Sequence, residues 1–151
     1  MSFFVAEVSS NHARKLDRAL KFVDVAAAIG CDAVKFQLFR IDELFSTEVL
    51  KNSSSHRSRR DWELPLEFLK PISDQCKKRN IQFGCSPFYL DAISHLKNYV
   101  DFLKISSYEL LWDELLIECA KAGKKVVFST GMATMDEIQS AVRVLKKYNC
   151  N

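Results

Sequence analysis

Five short apolar runs alternate along the chain with stretches of helical periodicity, and that alternation leaves few folds open. The runs fall at residues 3–8, 33–39, 81–85, 102–105 and 126–129. Each is too short for a buried helix and rich in Phe, Val and Ile, which suits strands buried on both faces of a parallel sheet. Between them Leu16, Leu20, Val23 and Ala27 share one helical face, and Gly30 stands where a left-handed residue closes a helix. Leu115, Leu116, Cys119 and Ala120 repeat the arrangement up to Gly123. Ile138, Ala141, Val142 and Leu145 form a further stripe, opened by the capping-box pair Thr134 and Glu137. Helical patterns over 66–78 and 90–99 complete a β-α order repeated five times. Such units build a mainly parallel sheet with right-handed crossovers.

One unit is longer than the others. Its excess, at about residues 40–63, contains a polar, turn-like segment from Asn52 to Asp61. A long loop after a strand lies on the ligand side of an α/β protein, so this insertion reads as lid-like, or as a disordered segment with no part in the chemistry. Two architectures accommodate five units in 151 residues. A five-strand flavodoxin-like sheet would be complete at this length. A TIM (β/α)8 barrel takes about 250 residues, so the chain would supply only its first five units.

Composition narrows the function. With 48% hydrophobic and 27% charged residues the chain is neither disordered nor collagen-like. No apolar run reaches the ~18 residues of a membrane span. The start, Met1-Ser2-Phe3-Phe4, lacks a basic region and cleavage site of a secretory signal, so a cytoplasmic protein is expected. Five cysteines without a C-x-x-C pair read as reduced thiols and disfavour structural zinc. A net charge of +3 permits an anionic ligand and argues against nucleic acid. The basic runs 56–60 and 77–79 read as a solvated loop and a helix end opposing its dipole. No G-x-G-x-x-G or P-loop supports a nucleotide cofactor.

Glu7, Lys35 and Lys104 stand in otherwise apolar strands, each toward the C-terminal end. An unpaired buried charge costs several kcal/mol, so each needs a partner, a ligand or water. Asn11, His12, Gln37, Ser86, Ser106, Ser107, Glu109, Ser129 and Thr130 occupy the same ends. Singly, each has an ordinary structural explanation; a strand-end serine caps the next helix, and Glu7 could pair with Lys35. Recurrence on five successive strands points instead to one shared site. Two lysines and several hydroxyls suit a phosphate or carboxylate, and Glu7 and Glu109 could move protons or hold sugar hydroxyls.

These segments resemble the sialic acid synthase family, whose members include N-acetylneuraminate, legionaminate and pseudaminate synthases. Ala6-Glu7-Val8-Ser9-Ser10-Asn11-His12 is similar to that family's A-E-[IL]-x-x-N-H, and Asp32-Ala33-Val34-Lys35-Phe36-Gln37 to its D-A-[VI]-K-x-Q. Ser86-Pro87-Phe88, Lys104-Ile105-Ser106-Ser107-Tyr108-Glu109 and Ser129-Thr130-Gly131-Met132-Ala133-Thr134 match its later motifs in order. The resemblance implies a (β/α)8 barrel that condenses phosphoenolpyruvate with an N-acetylated amino sugar, releasing phosphate and forming a nonulosonic acid. It also implies a homo-oligomer and a divalent metal, manganese or magnesium. Lys35, Ser86, Lys104, Ser107 and Ser129 match positions that hold phosphoenolpyruvate. Glu109 matches the catalytic carboxylate beside the reacting centre and Glu7 an acidic residue on the sugar and water side. Roles for Asn11 and His12 stay open.

Ala13-Arg14-Lys15 replaces the usual glycine-rich turn, and Ser106 and Tyr108 replace residues that are often small, which would narrow the site. The family's metal-binding histidines and its antifreeze-like domain lie beyond residues matching 1–151, so no metal ligand is assigned here. The expectation is a synthase fragment that binds phosphate-bearing ligands weakly at most and is inactive alone. A non-catalytic half-barrel module and a Schiff-base aldolase using Lys104 are the competing readings. The motif series favours barrel order, with strand 2 between strands 1 and 3.

Overall fold

The computed structural model describes residues 2–148 and 150, so the outermost residues of the expected 1–151 domain lie outside the described residues. Its strands are β1 (Val5–Ser9), β2 (Ala33–Leu38), β3 (Gln82–Pro87), β4 (Phe102–Ile105) and β5 (Lys125–Phe128). Helix α1 (Leu16–Ala28) follows β1, and the short helices α2 (Ile41–Leu44), α3 (Thr47–Asn52) and α4 (Ser54–Arg57) follow β2. Two 3₁₀ turns, Ser58–Trp62 and Leu66–Phe68, lead to α5 (Leu69–Arg79). Helices α6 (Ala92–Leu96), α7 (Asp113–Lys121) and α8 (Met135–Lys147) follow the last three strands. No helix among the described residues is long and apolar enough to cross a membrane.

All strand pairs are parallel, and their order is β1-β2-β3-β4-β5. Strand 1 therefore sits at an edge rather than between strands 2 and 3, which excludes the flavodoxin-like alternative. The physical consequence is one-sided. When each crossover is right-handed and the chain always advances in the same direction, the helices packed on the strands, α1, α5, α6, α7 and α8, fall on the same face. Val8, Val34, Phe36, Leu38, Phe83, Cys85, Leu103 and Ile105 form that face and join one core with Ala19, Val23, Ile72, Cys76, Leu115 and Leu116.

The expectation of strands buried on both faces is corrected here. Val5 and Val127, on the opposite face, are each 39% exposed, because no layer of helices covers them. Near its N-terminal end this open face is filled by rings. Phe3 meets Phe102 edge-on with centroids 6.5 Å apart, and the Lys125 ammonium lies 5.5 Å from the Phe3 centroid. Phe3, just ahead of β1, thus meets side chains of β4 and β5 across a strongly curled sheet. Gly84 is what lets Phe102 lie flat on β3, since a Cβ there would stand 2.1 Å from the ring.

Helix ends follow the sequence closely. Gly30 (φ +84°) and Gly123 (φ +67°) take the left-handed conformation just past α1 and α7. Thr134 and Glu137 form the reciprocal capping box of α8, with the Thr134 N–H donating to the Glu137 carboxylate at 2.7 Å. Replacing Thr134 with alanine should lower stability by about 1 kcal/mol in urea unfolding. The stretch 90–99 differs, forming only the five-residue α6 with turns around it. The segment expected to be turn-like is instead mostly helical, in short pieces between Ile41 and Trp62, with Ser46 and Ser53 accepting N-cap hydrogen bonds from Val49 and His56.

Candidate active site

Strand alternation sends the charged residues to the open face. Glu7 is in register with Lys35, and Lys35 with Gly84. Lys104 is in register with Val127, one strand further on. The Lys35 ammonium pairs with the Glu7 carboxylate and donates to the buried Ser86 hydroxyl at 3.2 Å. Lys104 Nζ donates to Ser129 Oγ at 2.6 Å and to the Ile105 carbonyl at 2.7 Å. Ser107 Oγ accepts from the Gly131 N–H at 3.1 Å, tying the turn after β5 to the end of β4. Ser106 donates to the Glu109 carboxylate. The structure thus brings Glu7, Lys35, Ser86, Lys104, Ser107, Glu109 and Ser129 to one end of one face.

The electrostatics of this end are unbalanced. Burial, and then repulsion from Lys35, pull Lys104 below the ordinary lysine range, against the opposing attraction of Glu7 and Glu109. Glu109 moves up from the ordinary carboxylate range because it is desolvated, although its backbone N–H and Lys104 oppose the shift. An anion beside Lys104 would favour its protonated form, and an acid that keeps its proton longer can serve as a proton donor. The thiols are set apart from this chemistry. Cys85 lies in the core beneath the helices with its pKa raised by burial, and burial raises Cys76 and Cys119 to about 12.

The loop after β1 explains the residues whose roles the sequence left open. Ser9, Ala13 and Arg14 have φ of +53°, +48° and +53°, values at which non-glycine residues are uncommon. Ala13 and Arg14 thus hold glycine-type conformations in the turn where the family pattern has glycine. His12 stabilises the turn from inside: it is wholly buried, and its Nδ1 accepts from the Arg14 N–H at 3.0 Å. Asn11 Nδ2 donates to the Val8 carbonyl at 2.9 Å. The Arg14 guanidinium in turn donates to the carbonyls of Arg60 at 3.2 Å and Glu63 at 3.5 Å, joining the turn to the insertion.

His12 is held neutral, its pKa lowered first by burial and then by Arg14. In the unfolded chain a histidine titrates near about 6.5. Between its depressed folded value and about 6.5 the unfolded state binds more protons, so stability should fall as pH drops through that window. Urea unfolding from pH 7 to pH 5 should show this slope, and His12→Gln should flatten it.

Beside the lysines lies a cleft of about 710 Å³ whose far wall is the insertion. Ser9, Ser10, Gln37, Ser106 and Glu109 line its polar side, and Phe39, Phe45, Trp62, Phe88 and Tyr108 its apolar side. Tyr108 is 82% exposed and borders the mouth. The sequence reading missed this aromatic wall, and it took Arg59 for part of a solvated run. Arg59 instead lies 5.6 Å from the Phe45 ring centroid and 5.4 Å from that of Trp62. The available signal was that Phe45 and Trp62 are the two Phe, Tyr or Trp residues of the insertion at 40–63.

Among the described residues no three His, Cys, Asp or Glu side chains lie close enough to hold a metal ion. Glu7 is engaged by Lys35 and Glu109 by Ser106, so the residues present do not fit the divalent metal.

The chain is similar to known synthases over most of its length. The NeuB family profile matches residues 22–151. The N,N'-diacetyllegionaminic acid synthase of Campylobacter jejuni is 34% identical over 157 residues, covering 97% of this chain and 47% of that protein. The spore coat polysaccharide biosynthesis protein SpsE of Bacillus subtilis is 31% identical, with 95% of this chain and 41% of that protein covered. The crystal structure of N-acetylneuraminic acid synthetase from Leptospira borgpetersenii, in complex with citrate, superposes with a TM-score of 0.89. It is 31% identical, and the match covers 98% of this chain and 51% of that one. The chain therefore spans about half the length of the relatives it matches. Since the profile takes in four of the five strands, and whole-chain similarity to the synthases takes in the fifth, the chain belongs to the NeuB family.

Proposed function

We propose that this chain is the phosphoenolpyruvate-binding part of a synthase that joins phosphoenolpyruvate to an N-acetylated amino sugar. On this reading its curled sheet is the first five βα units of a (β/α)8 barrel. The observation that carries the proposal is the pairing of each strand-end lysine with a hydroxyl on the open face, Lys35 with Ser86 and Lys104 with Ser129. Lys35 is paired with Glu7, whereas Lys104 has only a carbonyl and the Ser129 hydroxyl as direct partners, and an ammonium without a paired carboxylate is costly until an anion arrives. Phosphoenolpyruvate brings a phosphate and a carboxylate to that position.

The chemistry follows from an enol phosphate meeting an aldehyde. The C3 carbon of phosphoenolpyruvate supplies the electron pair of the new carbon–carbon bond, and the aldehyde oxygen takes a proton. Glu109, whose pKa is raised by desolvation, is the acid suited to give it. The cationic C2 left behind takes up water, and loss of inorganic phosphate from the resulting hemiketal gives the 2-keto acid. Glu7, pairing with Lys35 and 47% exposed, is placed to accept the proton of that water. Reduced thiols fit a cytoplasmic setting, and the family resemblance favours a homo-oligomer.

Isothermal titration tests the reading. The chain should bind phosphoenolpyruvate more tightly than pyruvate, with inorganic phosphate competing; no heat from phosphoenolpyruvate would overturn it. A second reading rests on the lowered pKa of Lys104, the condition for a Schiff-base nucleophile. Borohydride trapping with pyruvate separates the two, since only a Schiff-base enzyme leaves a covalent adduct on Lys104.

A further inference from the structure

We infer that Arg14 is a positioning residue for the cleft: its guanidinium is the strut that ties the insertion to the turn after β1, so that both walls stand in place before a ligand enters. The strut is read from geometry, and its consequence for binding rests on the synthase reading. The insertion has little else to hold it. Ile41 and Leu64 are buried at its two ends, and the Ile41 N–H donates to the Glu63 carboxylate at 2.7 Å, closing it into a loop. Between them, from residue 42 to residue 63, no residue is buried. Arg60 with Asp42, and Arg57 with the Lys51 carbonyl at 3.0 Å, bind the loop to itself. Among the described residues, the bonds from Arg14 to the Arg60 and Glu63 carbonyls are the only hydrogen bonds that join residues 42–63 to another βα unit.

Arg14 makes these bonds from an unfavourable backbone conformation. Among the described residues five non-glycine residues have positive φ, and three of them, Ser9, Ala13 and Arg14, belong to this one turn. Such a residue persists where its surroundings over-determine it, and strain of this kind gathers at ligand clamps. Here the buried His12 ring accepts the Arg14 N–H, and the His12 carbonyl accepts the Lys15 N–H at 3.0 Å. Glycine would take position 14 without steric cost. What glycine lacks is a side chain that crosses to the insertion. The same turn supplies Ser9 and Ser10 to the polar side of the cleft, and the insertion supplies Phe45, Arg59 and Trp62 to its far wall. One side chain therefore sets the spacing of two walls that come from separate parts of the chain. A ligand that touches both walls then binds without having to order a loop.

Two glycine variants test this, since both relieve a left-handed residue of the same turn and only one removes the strut. Arg14→Gly should leave urea unfolding close to that of the unmodified chain, while amide exchange across residues 41–62 speeds up about 2- to 10-fold, the net worth of one hydrogen bond. Ala13→Gly should leave that exchange unchanged. In a Trp112→Phe background, Trp62 emission should shift to the red with Arg14→Gly and stay in place with Ala13→Gly. Arg14→Lys, which keeps a donor on a long side chain, should fall between. N-acetylmannosamine, as the amino-sugar probe, should bind Arg14→Gly more weakly than Ala13→Gly, by up to the same factor, with phosphoenolpyruvate bound equally by both. Equal exchange in the two glycine variants would overturn the strut. Exchange that rises evenly over the whole chain would also overturn it, by assigning Arg14 to the fold. Selective loosening with equal sugar affinity would overturn the positioning role. An unmodified chain that binds no amino sugar counts against the synthase reading instead, and the exchange and emission results, which need no ligand, still decide the strut.

Discussion

Replacing Lys104 with methionine should weaken phosphoenolpyruvate binding at least about 30-fold while leaving the fold as stable as before, or more so. The first half follows from the ligand's charge. Removing one member of a partly buried, hydrogen-bonded charge pair costs about 2–5 kcal/mol of affinity, and 2 kcal/mol is already about 30-fold. The second half follows from the lysine's surroundings. Burial and Lys35 both disfavour its charge in the free protein, so an apolar chain of similar length relieves a cost instead of creating one. Lys35→Met should lose binding as well, but it also strips Glu7 of its ion-pair partner. Titration calorimetry and urea unfolding of each variant would measure both quantities. A Lys104→Met protein that unfolds more easily and binds normally would assign the lysine to the fold.

The pH dependence carries a sign. Binding needs the protonated ammonium, and Lys104 in the free protein loses its proton below the ordinary lysine range. Affinity should therefore begin to fall at a lower pH than an unperturbed lysine would allow, and Lys104→Arg, always charged, should move that fall upward.

The second large effect concerns Gly84. Alanine there should cost about 3 kcal/mol and lower the melting temperature by roughly 6–12 °C in a domain of this size. A Cβ would stand 2.1, 2.3 and 2.6 Å from three carbons of the Phe102 ring, all closer than atoms can approach. Phe102 is only 3% exposed, and swinging it away would break its contact with Phe3. Phe102→Leu should itself be destabilising, yet in the Gly84→Ala background it should recover part of the loss. That coupling in a double-mutant cycle would identify the ring as the obstacle. The effect matters for the site because Gly84 is in register with Lys35 and precedes Ser86 by two residues on the same strand.

The elements and their order were legible in the sequence because strand and helix leave local signatures. Gly30, Gly123 and the Thr134–Glu137 box mark helix ends wherever the chain goes next, and each is found where it was read. Charges at Glu7, Lys35 and Lys104 were legible as a shared feature because a strand interior tolerates them only for a reason. Helix α6 was overread, since an apolar period of helical type is also satisfied by turns packed against a sheet. What the sequence could not express is everything that depends on distance between units. Strand order decided that α1, α5, α6, α7 and α8 cover one face and that Val5, Lys35, Lys104 and Val127 share the other. Sheet curl decided that Phe3 touches Phe102 and Lys125, about a hundred residues or more away along the chain. The fold of the insertion decided that Arg59 has rings for neighbours while Arg60, the next residue, has a carboxylate. Local propensity acts within a few residues of a chain; charge, packing and approach act through space, and only the folded backbone fixes which side chains share it.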